Sequence, residues 1–241
     1  MNTGLPCMTN TAYLFYIRRS EKTRILLLEN NPNIVDLSDP NRPTKLAERF
    51  SELYNNEHTD TFEEILKCYR KGEVDQEEKI VHDLLVVVQK AYDHCKKWNM
   101  KLEEELISEE LTKVPRSVAE YIQRGGQMQQ KKKRLVQENL KDVVKDFMAN
   151  KIQIFRPVDV TEVAKQEYMN YATSTVEIVW WMCVQDPPIH LEYATSGRFD
   201  SNLYENYKQS GSFVDFCVWP LVRLHENGPI LTKGIAQGTN K

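Results

Sequence analysis

The chain has 241 residues, 41% of them hydrophobic and 28% charged, with a formal net charge of −3, a make-up that fits a folded globular protein and excludes wholesale disorder. Only 9 glycines and 10 prolines among many Glu, Lys, Leu and Gln favour helices over a turn-rich β architecture, and the length suits one large domain or two small ones. Five cysteines, Cys7, Cys68, Cys95, Cys183 and Cys217, are odd in number, widely spaced and without a Cys-x-x-Cys pair, so free thiols are expected and a disulfide framework or metal site is not.

Met1 to Pro6 lack the basic and apolar regions of a signal peptide and the Arg-rich character of a transit peptide. No uninterrupted apolar run reaches the roughly 20 residues that a membrane span needs. The expected setting is cytoplasmic, with any membrane contact peripheral.

Residues 1–29 form a segment whose structure stays open. Tyr13 to Ile17 and Ile25 to Leu28 flank a charged patch, and fit two short extended pieces or one interrupted helix equally well. Asn30 to Pro43 is a connector punctuated by prolines, ending in a helix start with Asn41 or Arg42 at the cap and Pro43 in the first turn. The spacing of Leu46, Phe50, Leu53 and Tyr54 predicts a helix from Pro43 to Tyr54. A separate helix opens at Thr59 or Asp60, carries Phe62, Ile65, Leu66 and Tyr69 inward and stops at Gly72.

The longest periodic segment covers residues 74–111. Ile80, Leu84, Val87, Ala91, Cys95, Trp98, Leu102 and Leu106 step by three or four and share one helical face. Val86 and Val88 widen that stripe, which favours bundle core over a coiled-coil seam. His82 and His94 fall off its centre and read as solvated.

Charge then changes sign. Residues 36–111 hold 19 acidic against 11 basic side chains, whereas residues 112–156 hold 11 basic against 4 acidic. Gly125 and Gly126 are expected to break this basic region into a helix near Ser117 to Arg124 and another from Gln130 to Met148. The second opens on Lys131, Lys132, Lys133 and Arg134, four cations at the positive end of a helix dipole, each unfavourable there by roughly a few tenths of a kcal/mol. The cluster reads either as a solvated basic turn or as a contact for an anionic surface, with Arg116 and Arg124 as extensions.

Lys151 to Arg156 is a short extended piece. Asp159 to Glu162 resembles a capping box with Asp159 as the cap, opening a helix that buries Tyr168, Tyr171, Ala172, Val176, Val179, Trp180 and Cys183. Trp180 and Trp181 point about 100° apart, so one is core and the other is free for a second element or partner. Ile189 to Tyr193 reads as extended, Asp200 to Lys208 as a helix or irregular turn, and Phe213 to Leu224 as an apolar block kinked or broken at Pro220. Ile230 to Gln237 is a short apolar tail, and residues 239–241 read as disordered. The sum is an all-α fold of about eight helices, with residues 30–238 as a single helical domain.

No phosphate-binding Gly-rich loop, His-Glu-x-x-His or Cys/His metal spacing is present, so no cofactor is expected. Cys183 with His190, or Cys217 with His225, matches no nucleophile signature, and a thiol within a Trp-rich run is expected to be buried and unreactive. The Glu103 to Glu105 run with Glu109 and Glu110 reads as a solvated face. Nucleic acid is not expected as a partner, because no aromatics are interleaved with the lysine cluster.

The run Trp180-Trp-Met-Cys-Val-Gln-Asp-Pro-Pro-Ile189, with Val218-Trp-Pro220, Leu224-His-Glu-Asn-Gly-Pro229 and Lys233-Gly-Ile-Ala-Gln237, resembles the C-terminal domain of the mitochondria-eating protein (Mieap) family. Asp39-Pro-Asn-Arg-Pro-Thr-Lys-Leu-Ala-Glu48 is similar to the beginning of that domain. The resemblance implies a helical, non-enzymatic domain in mitochondrial quality control that associates with mitochondria and binds the anionic lipid cardiolipin. Self-assembly in the family is attributed to coiled coils upstream of the domain. The rival expectation is a protein-interaction or oligomerisation scaffold, working through the stripe on Ile80 to Leu106 or through Trp180 or Trp181.

Overall fold

A computed structural model describes residues 39–69, 76–111, 118–150 and 160–240. The expectations for residues 11–29 and 151–156, the stop at Gly72, the cap at Asp159 and the contact at Arg116 lie outside the described residues. The chain divides into two compact units, Met1–Arg42 and Pro43–Lys241, and every element below belongs to the second.

Helix α1 spans Pro43–Leu53 and buries Leu46, Ala47, Phe50 and Leu53. It does not end at Tyr54. A π-helical turn, Tyr54–His58, carries the chain directly into α2, Thr59–Lys67, and His58 caps nothing with its side chain. The sequence predicts two separate helices because a π turn leaves no breaker residue behind. Its mark is the spacing: the buried residues Leu53 and His58 are five apart, one π-type step, where an α-helix steps by three or four. Thr59 Oγ donates to the Tyr54 carbonyl at 3.0 Å across the turn.

Helix α3 covers Gln76–Leu111, α4 covers Val118–Asn150 and α5 covers Glu162–Cys183. The α3 stripe is core along its length: Ile80, Leu84, Val87, Ala91, Cys95, Leu102 and Leu106 are all buried. It packs chiefly on α5, where Tyr171 donates to the Leu84 carbonyl at 3.0 Å. The stripe is therefore consumed within the chain and does not face a partner helix. Gly125 and Gly126 do not break α4, which runs through both. Each lowers helix propensity by about 1 kcal/mol, but a glycine ends a helix only where the chain turns left-handed after it. Helix α5 is capped by Thr161, whose hydroxyl accepts from Ala164 N at 3.1 Å.

The all-α expectation fails after Cys183. Six short strands follow: β1 His190–Glu192, β2 Tyr204–Asn206, β3 Phe213–Trp219, β4 Leu221–Arg223, β5 Ile230–Thr232 and β6 Gly234–Thr239. They form two three-stranded sheets, one ordered β1-β4-β5 and antiparallel throughout, the other β2-β6-β3 with β2 parallel and β3 antiparallel to β6. Among the described residues the fold is thus five α-helices, one π-helical turn and two small sheets, not an eight-helix bundle. Pro220 separates β3 from β4. It has no N–H for a ladder and holds Trp219 extended, so the block it interrupts is two strands rather than a kinked helix. Phe213, Val214, Phe216, Val218, Trp219 and Val222 are β-branched or aromatic, the types that suit a pleated surface.

Glycine sets the spacing of the second sheet. A Cβ on Gly234 would stand 2.7 Å from Leu221 N and 2.8 Å from Trp219 O, and one on Gly238 2.4 Å from Gly211 N. Both are approaches of backbone to backbone that no side chain could accommodate. The strands close the helical layer: Ile189, Leu191, Trp219 and Val222 join the core of α1 to α5, while Tyr204, Val214, Leu221 and Ala236 make a smaller second cluster.

Candidate functional site

Which residues of α4 face outward follows from what holds its inner face. Val136, Val143 and Phe147 are buried against the core. Trp180 of α5 donates its indole N–H to the Val136 carbonyl at 3.0 Å, and Trp98 of α3 donates to Asp146 Oδ2 at 3.2 Å. His94 of α3 lies 3.1 Å from the Val143 carbonyl and 3.8 Å from Asp146 Oδ2, with its ring tilted by 59° against Phe147. These contacts fix the rotation of α4 about its axis.

The four cations at residues 131–134 consequently diverge, because successive residues of a helix point about 100° apart. Lys132 turns inward and pairs with Glu103 of α3 at 2.9 Å, where Glu103 also accepts from Asn99. Arg134 lies 3.6 Å from Glu138, one turn on. Lys131 is half-buried and already engaged. Lys133 is exposed and, among the described residues, without an ion pair or hydrogen bond. Arg124 lies in α4, and its side chain is outside the described residues.

The surface that α4 offers continues in the other direction. Lys133, Gln137, Lys141 and Lys145 step by four along one exposed ridge of about 18 Å. Lys141 and Lys145 are also exposed and unpaired among the described residues. Sequence reasoning settled on the densest run of lysines and missed these two, although the i, i+4 spacing was the available signal. Acidic residues adjoin the ridge in sequence at Glu138, held by Arg134, at Asp142, and at Asp146, which accepts from Trp98.

The tryptophan pair is resolved. Trp180 is wholly buried and hydrogen-bonded, whereas Trp181 is half-buried at the edge of the core. His94 does not belong with solvated side chains, since only 5% of its surface is exposed. Its place seven residues after Val87 put it on the same face as the stripe. His58 had drawn no notice in the sequence. It sits at the end of the π turn, 4% exposed, among Tyr54, Tyr171 and Trp219, with ring centroids 4.8 to 5.7 Å away. Its Nε2 has no hydrogen-bond partner, and burial pushes the imidazole down to about 3.

The thiols once paired with histidines in sequence are poor nucleophiles in place. Burial pushes Cys183 up to about 12 and Cys217 up to about 11, and Cys95 is likewise raised. Among the described residues no group of three or more His, Cys, Asp or Glu converges as a metal site, and no helix is long and apolar enough to cross a membrane.

Comparison with known proteins adds one match. The model of the family described as "Mitochondria-eating protein" matches residues 42–238, which takes in every helix and strand from α1 through β5 and all but the last residue of β6. No curated protein and no solved structure matches the chain. The ends of the match fall at the Arg42 boundary of the second unit and near the close of the second sheet, so the whole of this helix-and-sheet architecture is the family's domain. The chain belongs to the mitochondria-eating protein family, and with it to mitochondrial quality control and association with mitochondria.

Proposed function

We propose that the chain is a non-enzymatic binding module that attaches peripherally to anionic, cardiolipin-containing mitochondrial membrane through the basic ridge of α4. The observation that carries this reading is the line of exposed lysines at 133, 141 and 145, unpaired among the described residues, on a helix whose orientation is fixed from behind. Each basic residue close to an anionic surface contributes about 1 kcal/mol, so three acting together give weak, reversible attachment. Lys131, Lys132 and Arg134 are occupied within the protein and act at the margin of the contact. Burial raises the thiols of Cys183 and Cys217, which suits packing rather than nucleophilic chemistry at those two residues. Co-sedimentation with vesicles tests the reading. Binding should require cardiolipin and fall when Lys133, Lys141 and Lys145 are changed together to Glu; equal binding to neutral vesicles would overturn it.

A further inference from the structure

His58 sits where three pieces of the fold meet. It closes the π turn between α1 and α2, and its ring stands edge-on to Tyr171 of α5 and to Trp219 of β3, with Tyr54 tilted against it one turn back. Two buried polar atoms at this junction, His58 Nε2 and the Trp219 indole nitrogen, have no hydrogen-bond partner among the described residues. Buried polar groups are nearly always paired, and leaving two unpaired weakens the contact between turn and sheet. The turn is also of a kind that is rare within helices and concentrated at functional sites. Around it, the segment of α1, turn and α2 is held to α5 by packing and by Thr61, whose hydroxyl donates to the Glu167 carbonyl at 3.1 Å. Helices α3, α4 and α5 are tied to one another separately, through Tyr171 to the Leu84 carbonyl and Trp180 to the Val136 carbonyl.

We propose that His58 is an acid-operated latch, and that a proton taken from solvent releases α1, the π turn and α2 together from α5 and β3 while α3, α4 and α5 stay folded. A neutral imidazole fits among three aromatic rings. An imidazolium there would be a charge cut off from water, with no carboxylate against it. Tyr54 and Tyr171, the titratable groups that face it, are pushed up by burial and stay neutral throughout. The charged residues of the surrounding elements are Arg49 on α1, Glu57 on the turn, Asp60 on α2, Glu167 and Glu177 on α5 and Asp215 on β3. All are exposed or half-buried, and burial alone lowers the imidazole. The closed form takes a proton only near pH 3 and the open form at the ordinary 6.5, so opening becomes easier as pH falls below 6.5. Between pH 7.5 and 5 the opening equilibrium should rise about thirtyfold. Release uncovers an aromatic face, Tyr171 on α5 and Trp219 on β3, from which Phe50 and Tyr54 have withdrawn.

The test is native-state hydrogen exchange of the full chain in low urea, at pH 7.5 and at pH 5, with rates corrected for the intrinsic effect of pH. Unfolding of the whole domain also uncovers His58, so the two openings are told apart by urea, whose effect scales with the surface exposed. At pH 5 the amides of α1 and α2 should exchange at least about tenfold faster than those of α3 and α5, and respond weakly to urea. His58→Phe and, independently, His58→Leu should remove the thirtyfold change with pH in α1 and α2. One common protection and one common urea response across all the helices would overturn the proposal, and this comparison needs no variant to fold. A thirtyfold change that survives in both variants would overturn it as well.

Discussion

Trp180 and Val136 join the two helices that matter most for the lysine ridge: the indole N–H donates to the Val136 carbonyl at 3.0 Å, and the ring is wholly buried. Val136 lies between Lys133 and Lys141, so the bond sets the outward direction of both. Trp180→Phe should lower stability by about 1–3 kcal/mol, from the lost hydrogen bond and the smaller ring, and Trp180→Ala by about 3–5 kcal/mol. Urea denaturation followed by circular dichroism measures both.

His58 makes stability depend on pH in a defined direction. Its imidazole is held neutral, at about 3 against an ordinary 6.5, so between those values the unfolded chain binds a proton that the folded chain refuses. Stability is then full above pH 6.5 and falls as pH drops, by about 1.4 kcal/mol per pH unit from this group. The window from pH 6.5 to 5 isolates it from ordinary carboxylates. His58→Phe, which keeps a ring against Tyr54, Tyr171 and Trp219, should flatten the slope of the urea midpoint over that range. An unchanged slope would show that another group is responsible.

The lysines of α4 should separate into two classes. Lys133→Ala and Lys141→Ala should each weaken binding to cardiolipin vesicles severalfold and leave the urea midpoint unmoved. Lys132→Ala should do the reverse, lowering stability by up to about 1 kcal/mol through loss of the Glu103 pair while vesicle binding changes little. Raising salt should weaken vesicle binding throughout, since the Debye length shortens from about 8 Å at physiological ionic strength to 3 Å at 1 M.

Two glycines should prove irreplaceable where a third does not. Gly234→Ala and Gly238→Ala drive a methyl group into backbone at 2.7 Å and 2.4 Å, whereas the nearest atom to a Cβ on Gly197 is 4.0 Å away. The first two substitutions should each cost more than about 2 kcal/mol, and Gly197→Ala less than about 0.5 kcal/mol. Loss of amide protection confined to β2, β3 and β6 would locate the damage in the second sheet.

Cys95 and Cys183 should label with maleimide only as fast as the chain opens. Both are at most 1% exposed and their thiols are pushed up by burial. Their labelling rates should therefore rise in step with added urea, while that of half-buried Cys68 should not wait for unfolding.

The helices were legible in the sequence because their apolar residues recur at three and four, and burial from Ile80 to Leu106 follows that pattern at every stripe position but the half-buried Trp98. The sheets were not. Four of the six strands have only three residues, too short to display an alternation, and β6 reads Gly-Ile-Ala-Gln-Gly-Thr, with no β-rich composition. Phe213 to Leu224 is apolar almost throughout, so it carries neither period, and the proline within it fits a broken helix as well as a strand boundary. At the candidate site, a run of four cations caught the eye. What a helix displays is instead a set of residues four apart, and only the buried partners of Val136, Val143 and Phe147 say which set it is. His94 was misjudged for a related reason, since a polar side chain is discounted as core until the carbonyl and carboxylate that receive it are known.

The five-residue turn between α1 and α2 gives this stretch something like a reading frame. Leu46, Phe50 and Leu53 face inward on one side of it and His58, Thr61 and Ile65 on the other, in phase only because the turn holds one residue more than an α-helix would use. Winding the same residues as regular α-helix would swing α2 by about 100° and carry Ile65 out of the interior. Loss of one residue from Tyr54 to Glu57 together with the π turn would instead leave an α-type step of four and keep α2 in phase. Relatives with a one-residue gap here should therefore run as regular α-helix from α1 into α2.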